Sequence, residues 1–146
     1  MASRTERRSP TKKGTSPLDR VNRAFRVTTN MFGDILSDKA SELCDSLGLV
    51  GSINLGAEVF VAQAQHGSAP NIQGQGNANP ISLILSAAML LEHLGIKHAD
   101  PGLTQAARAI EAAVKATLDR PDQRAADLGG SLGTAAFTDA VCAALA

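Results

Sequence analysis

Two aspartates one helical turn apart could bind a divalent cation. Asp34 and Asp38 lie in the segment NMFGDILSD, residues 30–38, and their i,i+4 spacing places both carboxylates on one face of a helix. Such carboxylates repel each other unless the face is hydrated or a hard cation such as Mg²⁺ or Mn²⁺ lies between them. Spacing alone leaves both interpretations open, and a hydrated acidic face shared with Asp45 is the commoner case.

A second segment could bind a phosphate or an adenine. Residues 66–80, HGSAPNIQGQGNANP, contain three glycines and two prolines, and we call this segment the glycine-rich loop. Its backbone amides and small side chains can wrap around such a ligand. It is not a Rossmann fingerprint, because Gly74 and Gly76 lack a third glycine at the expected place and no repeated βαβ unit surrounds them. His66 taken alone is more often structural than catalytic.

Helices and short strands must position these two segments. A β-prone run at residues 27–29 predicts a strand, and a helix with a leucine stripe follows over about 34–47, before Gly48. Residues 57–64, AEVFVAQA, predict a second strand. After the glycine-rich loop, apolar residues at helical spacing predict three helices, at about 81–95, 102–118 and 134–145. This alternation predicts an α/β fold in which helices pack on a small sheet.

The formal net charge of zero conceals two parts of opposite sign. Residues 1–26 hold eight basic residues against Glu6 and Asp19, a net charge of +6, which leaves −6 on the rest of the chain. This segment has too few apolar side chains to offset the entropy of ordering. We expect a disordered basic tail over 1–26 and a folded domain over 27–146. A nucleic-acid-binding arm and an organelle transit peptide are the alternatives for the tail.

Composition argues against several other classes of protein. We expect neither a membrane span nor a secretory signal, because no apolar run reaches about 18 residues and no apolar h-region follows Met1. Cys44 and Cys142 are too few and too distant for a disulfide framework or a zinc site. We therefore expect reduced thiols and a cytoplasmic protein, with the mitochondrial matrix as the alternative. The chain contains no Trp and no Tyr, which weakens stacking on nucleic acids and excludes a tyrosine as general acid.

Several motifs in order resemble the isocitrate and isopropylmalate dehydrogenase family, the metal-dependent β-decarboxylating dehydrogenases that include tartrate dehydrogenase. The resemblance covers about residues 27–146. It rests on NMFGDILSD, SLGL at 46–49, the glycine-rich loop, the helix ISLILSAAMLLEHLG and DLGG at 127–130. It implies part of an isopropylmalate dehydrogenase-like α/β sandwich.

The resemblance also implies roles for the two segments. Asp34 and Asp38 look like aspartates that bind Mg²⁺ or Mn²⁺. The loop residues that look like the site for the adenosine end of NAD are His66, Gly67, Ser68, Ala69, Pro70, Asn71 and Asn79. In the family, the metal is chelated by a 2-hydroxy acid such as 3-isopropylmalate, isocitrate or tartrate. It polarises the carbonyl that hydride transfer forms and stabilises the enolate left by decarboxylation.

Two substitutions within the motifs bear on the cofactor. Asn71 stands where NAD-dependent members of the family carry an aspartate that binds the adenosine ribose, and a neutral amide is a weaker acceptor than a carboxylate. Gln63 stands where a glutamate commonly precedes the loop. Both changes remove negative charge near the dinucleotide, which leaves NADP open beside NAD.

The resemblance also shows what the sequence lacks. Members of the family are far longer, and their preceding part carries the substrate-binding arginines, a catalytic tyrosine and lysine, and a third metal-binding aspartate. Residues 1–26 do not resemble that part, so we expect no turnover by this chain alone. We favour a C-terminal portion of such a dehydrogenase, assembled as a homodimer or with a full-length relative. The alternative is a non-catalytic dinucleotide-binding or regulatory module, and nucleic-acid binding through the basic tail is a third, less favoured interpretation.

Overall fold

Four helices and one β-hairpin form the regular structure of the described residues. The computed structural model describes residues 29–42 and 49–145. In chain order the elements are α1 (Asn30–Glu42), β1 (Gly51–Leu55), β2 (Phe60–Ala64), α2 (Ile81–His98), α3 (Pro101–Leu118) and α4 (Thr134–Leu145). Short 3-10 turns lie at Pro70–Ile72, Pro121–Gln123 and Ala126–Leu128. By its backbone contacts the chain divides between Ser37 and Asp38, within α1, and all later elements belong to the second unit.

Helix α1 begins earlier than its sequence pattern predicts. The Gly33 N–H donates to the Thr29 carbonyl at 2.8 Å, which extends the helical hydrogen bonding to Asn30 instead of Asp34. Thr29 itself lies outside any strand, so the strand predicted at 27–29 is wrong at that residue. The other two residues of that strand, the basic tail and the helix predicted beyond Glu42 lie outside the described residues.

The hairpin pairs β1 with β2 in antiparallel register. Gly51 faces Ala64 at one end and Leu55 faces Phe60 at the other. The Gly56 N–H donates to the Val59 carbonyl at 3.0 Å and closes the turn, so β2 begins at Phe60 instead of the predicted residue 57. Half-buried and exposed positions alternate along β2, as expected for a strand with one covered face. Strand β1 was not predicted, because its sequence GSINL lacks an alternating apolar pattern.

Two buried serines attach α2 to the hairpin. The Ser82 hydroxyl donates to the Val50 carbonyl at 2.6 Å and accepts from the Gln65 N–H at 3.0 Å. One turn later, Ser86 bridges β1 and β2 in the same way. A Cβ on Gly51 would lie 2.9 Å from the backbone of α2, so the helix and β1 are in close contact at this glycine. The helix therefore lies against one face of the hairpin and fixes the strand that leads into the glycine-rich loop.

Helix α2 runs past the glycine that was predicted to end it. Gly95 is buried inside the helix, where a Cβ would lie 2.5 Å from the Thr104 hydroxyl of α3. The helix ends at His98, and Ala99 adopts the left-handed conformation with φ 53°. Asp100 then caps α3 by accepting from the Gly102 N–H at 2.8 Å. Gly95 thus serves close packing between α2 and α3, not helix termination.

The core of the second unit lies where α2, α3 and α4 meet. The fully buried Phe137 of α4 and Ile81 of α2 are its largest apolar side chains, and burial of each stabilises the fold by about 1.5–3 kcal/mol. The remaining buried members are Ala113, Val114, Ala125 and Val141. Ile81 immediately follows the glycine-rich loop, and Ala125 immediately precedes the turn at Ala126–Leu128. The core therefore also fixes the end of the loop and the start of the turn.

Within the described residues, α2 is the one helix whose length and composition would allow it to cross a membrane. It has 18 residues and a mean hydropathy of 1.2, which corrects our expectation that no apolar run reaches this length. The central helix of a folded core has the same properties. Helix α2 contacts both strands and α3, and five of its residues are buried, while Leu83 and Ile96 are exposed.

Candidate functional site

A cleft of about 590 Å³ opens between the glycine-rich loop and the turn at Ala126–Leu128. Loop residues form almost all of its wall, and Asp127 contributes from the turn at Ala126–Leu128. Its lining consists of His66, Gly67, Ser68, Ala69, Ile72, Gln73, Gly74, Gly76, Ala78, Asn79 and Asp127. A cleft of this size is within the range that binds small molecules and cofactors.

Left-handed backbone conformations shape the loop around the cleft. Ala69 has φ 42° and ψ 60°, a conformation that non-glycine residues adopt rarely and that costs of order 1–3 kcal/mol. The turn at Pro70–Ile72 follows directly, where the Ile72 N–H donates to the Ala69 carbonyl at 3.1 Å. Gly74 and Gly76 have φ values of +76° and +66°, which glycine adopts without a steric penalty. These residues turn the chain so that small side chains and backbone face the cleft.

Asn79 connects three parts of the structure at the edge of the cleft. Its Nδ2 donates to Asp127 Oδ2 at 2.8 Å, across 48 residues of sequence. Its Oδ1 accepts from the Ile81 N–H at 3.0 Å, at the first residue of α2. The side chain is therefore held from both ends, and it fixes the position of Asp127 relative to the loop.

His66 begins the loop and is exposed at the cleft. Its Nδ1 lies 3.0 Å from the Gly67 carbonyl oxygen, which is a hydrogen bond when Nδ1 carries the proton. His66 and Asp127 are the ionisable side chains of the described lining, and the lining contains no Lys or Arg.

The structure brings together most of the residues predicted to bind the cofactor. His66, Gly67, Ser68, Ala69 and Asn79 line the cleft. Pro70 and Asn71 belong to the adjoining turn but are not among the lining residues; the Asn71 carbonyl accepts from Gln75 Nε2 at 2.8 Å. Their proposed contact with a cofactor stays a prediction.

Asp127 lines the cleft but was not predicted from the sequence to be a site residue. The motif DLGG at 127–130 supported the family resemblance, but nothing in its local sequence indicated that it faces a loop almost 50 residues earlier. The packing of residues 125–133 is specific: the Gly130 N–H donates to the Ala125 carbonyl at 3.0 Å, and the Leu132 N–H donates to the Arg124 carbonyl at 3.1 Å. This folded segment places Asp127 beside Asn79.

Of the two aspartates of α1, the structure describes the side chain of Asp38. Asp38 is half-buried, and its Oδ1 accepts from Gln65 Nε2 at 3.2 Å, immediately before the glycine-rich loop. Asp34 lies one turn earlier in the same helix, but its side chain lies outside the described positions. Among the residues that the structure describes, no group of three His, Cys, Asp or Glu side chains could hold a metal. Carboxylates are suitable ligands for Mg²⁺, which one or two protein carboxylates can hold together with substrate oxygens and water. The carboxylates of α1 are therefore suitable ligands for Mg²⁺, and the remaining ligands would be substrate oxygens, water or other protein groups.

Comparison with known proteins agrees with these features. The family model for isocitrate/isopropylmalate dehydrogenase matches residues 20–141. An isocitrate/homoisocitrate dehydrogenase of Thermus thermophilus is 50% identical over 119 residues, which is 82% of this chain and 33% of the relative. The mitochondrial NAD isocitrate dehydrogenase subunit 2 of Kluyveromyces lactis is 49% identical over 117 residues, 79% of this chain and 30% of the relative.

A solved structure extends the agreement to the fold. The crystal structure of isocitrate dehydrogenase from Methylococcus capsulatus superposes with a TM-score of 0.72 at 39% identity, covering 80% of this chain and 33% of that one. This confirms the predicted fold as part of a dehydrogenase of this type. The chain spans about a third of the length of the curated relatives it matches. The match over most of the chain shows that it belongs to the isocitrate/isopropylmalate dehydrogenase family.

Proposed function

We propose that the cleft binds the adenosine part of NAD, as one portion of a β-decarboxylating dehydrogenase that acts on a 2-hydroxy acid. The observation that carries this proposal is the meeting of the HGSA segment, Asn79 and Asp127 around one cleft of about 590 Å³. Each feature suits an adenosine. Small residues admit a flat base, Ile72 supplies apolar contact, and the carboxylate of Asp127 retains acceptor capacity beyond its bond to Asn79.

The charge of the cleft favours NAD over NADP. The extra 2′-phosphate of NADP is commonly bound by an arginine or lysine, since charge-assisted hydrogen bonds to phosphate are strong. The described lining has neither residue, and Asp127 adds a negative charge. We therefore assign NAD as the dinucleotide, even though Asn71 is neutral at a position where the family's NAD-dependent members carry an aspartate.

We further propose that Asp34 and Asp38 of α1 hold Mg²⁺ or Mn²⁺. When bound, the metal supplies Lewis-acid polarisation of the substrate's oxygen atoms. The chain's own contribution is orientation: Gln65 donates to Asp38 and holds that carboxylate at the start of the glycine-rich loop. Gln65 contacts Asp38 and is followed in the chain by His66, which lines the cleft. The proposed metal ligand Asp38 is thus connected to the start of the cofactor cleft.

The chain on its own should bind ligands without turnover. It contains no tyrosine, and a tyrosine is the general acid that the family resemblance calls for. In the family that the sequence resembles, the substrate-binding arginines lie in a preceding part, which would also determine the choice among isocitrate, 3-isopropylmalate and tartrate.

A binding or regulatory module that partners a full-length relative is the second candidate. It is supported by the composition of the cleft, which needs only the glycine-rich loop and Asp127 and therefore lies within a single unit. Melting temperature separates the two functions, because ligands of the native state raise it. A module responds to NAD alone, whereas a dehydrogenase portion responds further to Mg²⁺ with a 2-hydroxy acid.

The main test compares two exposed aspartates by calorimetric titration of NAD. We expect Asp127→Ala to weaken NAD binding at least tenfold, since hydrogen bonds to charged groups contribute about 1.5–3 kcal/mol. Asp122→Ala is the matched control, because Asp122 is also exposed but belongs to the preceding turn and does not line the cleft. Equal affinities for the two variants would exclude the cleft as the adenosine site.

A further inference from the structure

Helix α4 holds the far end of the glycine-rich loop through its first residue, Thr134. The Thr134 N–H donates to the Gly76 carbonyl at 2.7 Å. The Thr134 hydroxyl donates to the Ala78 carbonyl, across 56 residues of sequence. One residue thus bonds two carbonyls on either side of Asn77, and both Gly76 and Ala78 line the cleft.

The contact between α4 and the loop is close enough to exclude other side chains. A Cβ on Gly133 would lie 2.6 Å from the Gly76 carbonyl oxygen, so residue 133 must be glycine for this approach. Gly76 itself adopts φ +66°, which glycine reaches without a steric penalty. The two hydrogen bonds of Thr134 therefore join this part of the loop to the start of α4.

Helix α4 is packed into the core, so its first residue, Thr134, has a well-defined position. The loop residues that Thr134 contacts are exposed. Phe137 and Val141 of α4 are buried in the core, and the Phe137 N–H donates to the Gly133 carbonyl at 3.0 Å. Residues 73–78 of the loop are all exposed. Thr134 therefore transmits the position of the core to an exposed stretch of the cleft wall.

We propose that Thr134 is a positioning residue for dinucleotide binding: it holds residues 76–78 so that Asn79 and the adjoining wall stay in the geometry that the ligand needs. This inference rests on the proposed function. Thr134 does not line the cleft, so it acts through the loop and not through contact with the ligand.

The test uses three substitutions in the 146-residue chain, with NAD binding measured by calorimetry. Thr134→Val removes the hydroxyl at nearly constant shape, and we expect NAD affinity to fall about five- to tenfold. Thr134→Ser restores the donor and should bind within about twofold of the unsubstituted chain. Thr138→Val is the matched control, because its hydroxyl donates to the Thr134 carbonyl within α4 at 2.8 Å and not to the loop.

Hydrogen–deuterium exchange supplies a readout that does not depend on the ligand. We expect faster exchange of the amides of residues 74–79 in Thr134→Val, and unchanged exchange there in Thr138→Val. Equal loss of NAD affinity in the two valine variants, or unchanged affinity in Thr134→Val, overturns the inference while leaving the proposed function intact. Failure of the unsubstituted chain to bind NAD overturns the proposed function, and with it any role of Thr134 in binding.

Discussion

The substitution Ser86→Ala tests whether buried hydroxyls hold the hairpin to α2. The Ser86 side chain is fully buried, and its oxygen accepts from the Ser52 N–H of β1 at 2.9 Å. Its proton is shared between the Gln63 carbonyl of β2 at 2.7 Å and the Ser82 carbonyl at 2.6 Å. Removal of the hydroxyl leaves one part-buried strand donor and one part-buried strand acceptor without this partner.

The expected loss of stability follows from the two backbone groups that lose their hydrogen-bond partner. A buried polar group that loses its partner costs about 1–3 kcal/mol. Because the two strand groups are only part-buried, we expect Ser86→Ala to lower the free energy of unfolding by about 2 kcal/mol. That is a large share of the roughly 5–15 kcal/mol typical of a folded domain. Urea unfolding followed by circular dichroism measures the change directly, and the melting temperature should fall by about 10 °C.

Thr117→Val is the control for this prediction. Thr117 is buried in α3, but its hydroxyl donates to the Ala113 carbonyl of its own helix, so a valine leaves no strand group without a partner. We expect a loss below about 1 kcal/mol for this variant. If Ser86→Ala lowers the free energy of unfolding no more than Thr117→Val does, the buried serine hydroxyls do not hold the hairpin to α2.

Three further predictions concern other close contacts and the α1 aspartate. Gly51→Ala should destabilise the chain by more than about 2 kcal/mol in urea unfolding, because its Cβ would lie 2.9 Å from the backbone of α2; an unchanged midpoint would contradict the contact. Ala99→Gly should stabilise it by about 0.5–1 kcal/mol, because Ala99 has φ 53°, and a loss of stability would show that this strain is absent. Asp38→Asn should abolish any rise in melting temperature caused by Mg²⁺ while retaining the acceptor for Gln65; a persisting rise would refute Asp38 as a ligand.

Local sequence patterns predicted the helices whose signals are short-range. Helix α4 occupies the predicted range, and α3 begins at Pro101, one residue before its predicted start. Asp100 followed by Pro101 is a helix start that can be read without knowledge of the fold. By contrast, Gly95 was interpreted as a helix end, because its contact with Thr104 of α3 depends on tertiary packing that the local sequence does not encode.

The candidate site was predictable only in part, for the same reason. The glycine-rich loop is continuous in sequence, so His66 and its neighbours could be assigned together. Asp127 could not, because its place at the cleft depends on a hydrogen bond to Asn79 across 48 residues. Strand β1 was not predicted either, because its sequence GSINL has no alternating apolar pattern. The Ser52 N–H donates to Ser86 of α2, a contact that the local sequence does not reveal.

Amide chemical-shift mapping can show whether the cleft receives the adenosine end of NAD. Titrations with NAD, AMP and nicotinamide mononucleotide divide the dinucleotide into its two halves. We expect NAD and AMP to shift the same amides, those of His66, Gly67, Ser68, Ala69, Asn79 and Asp127, and nicotinamide mononucleotide to leave them unchanged. Shifts by NAD that fall elsewhere, or that nicotinamide mononucleotide alone reproduces, would contradict this expectation.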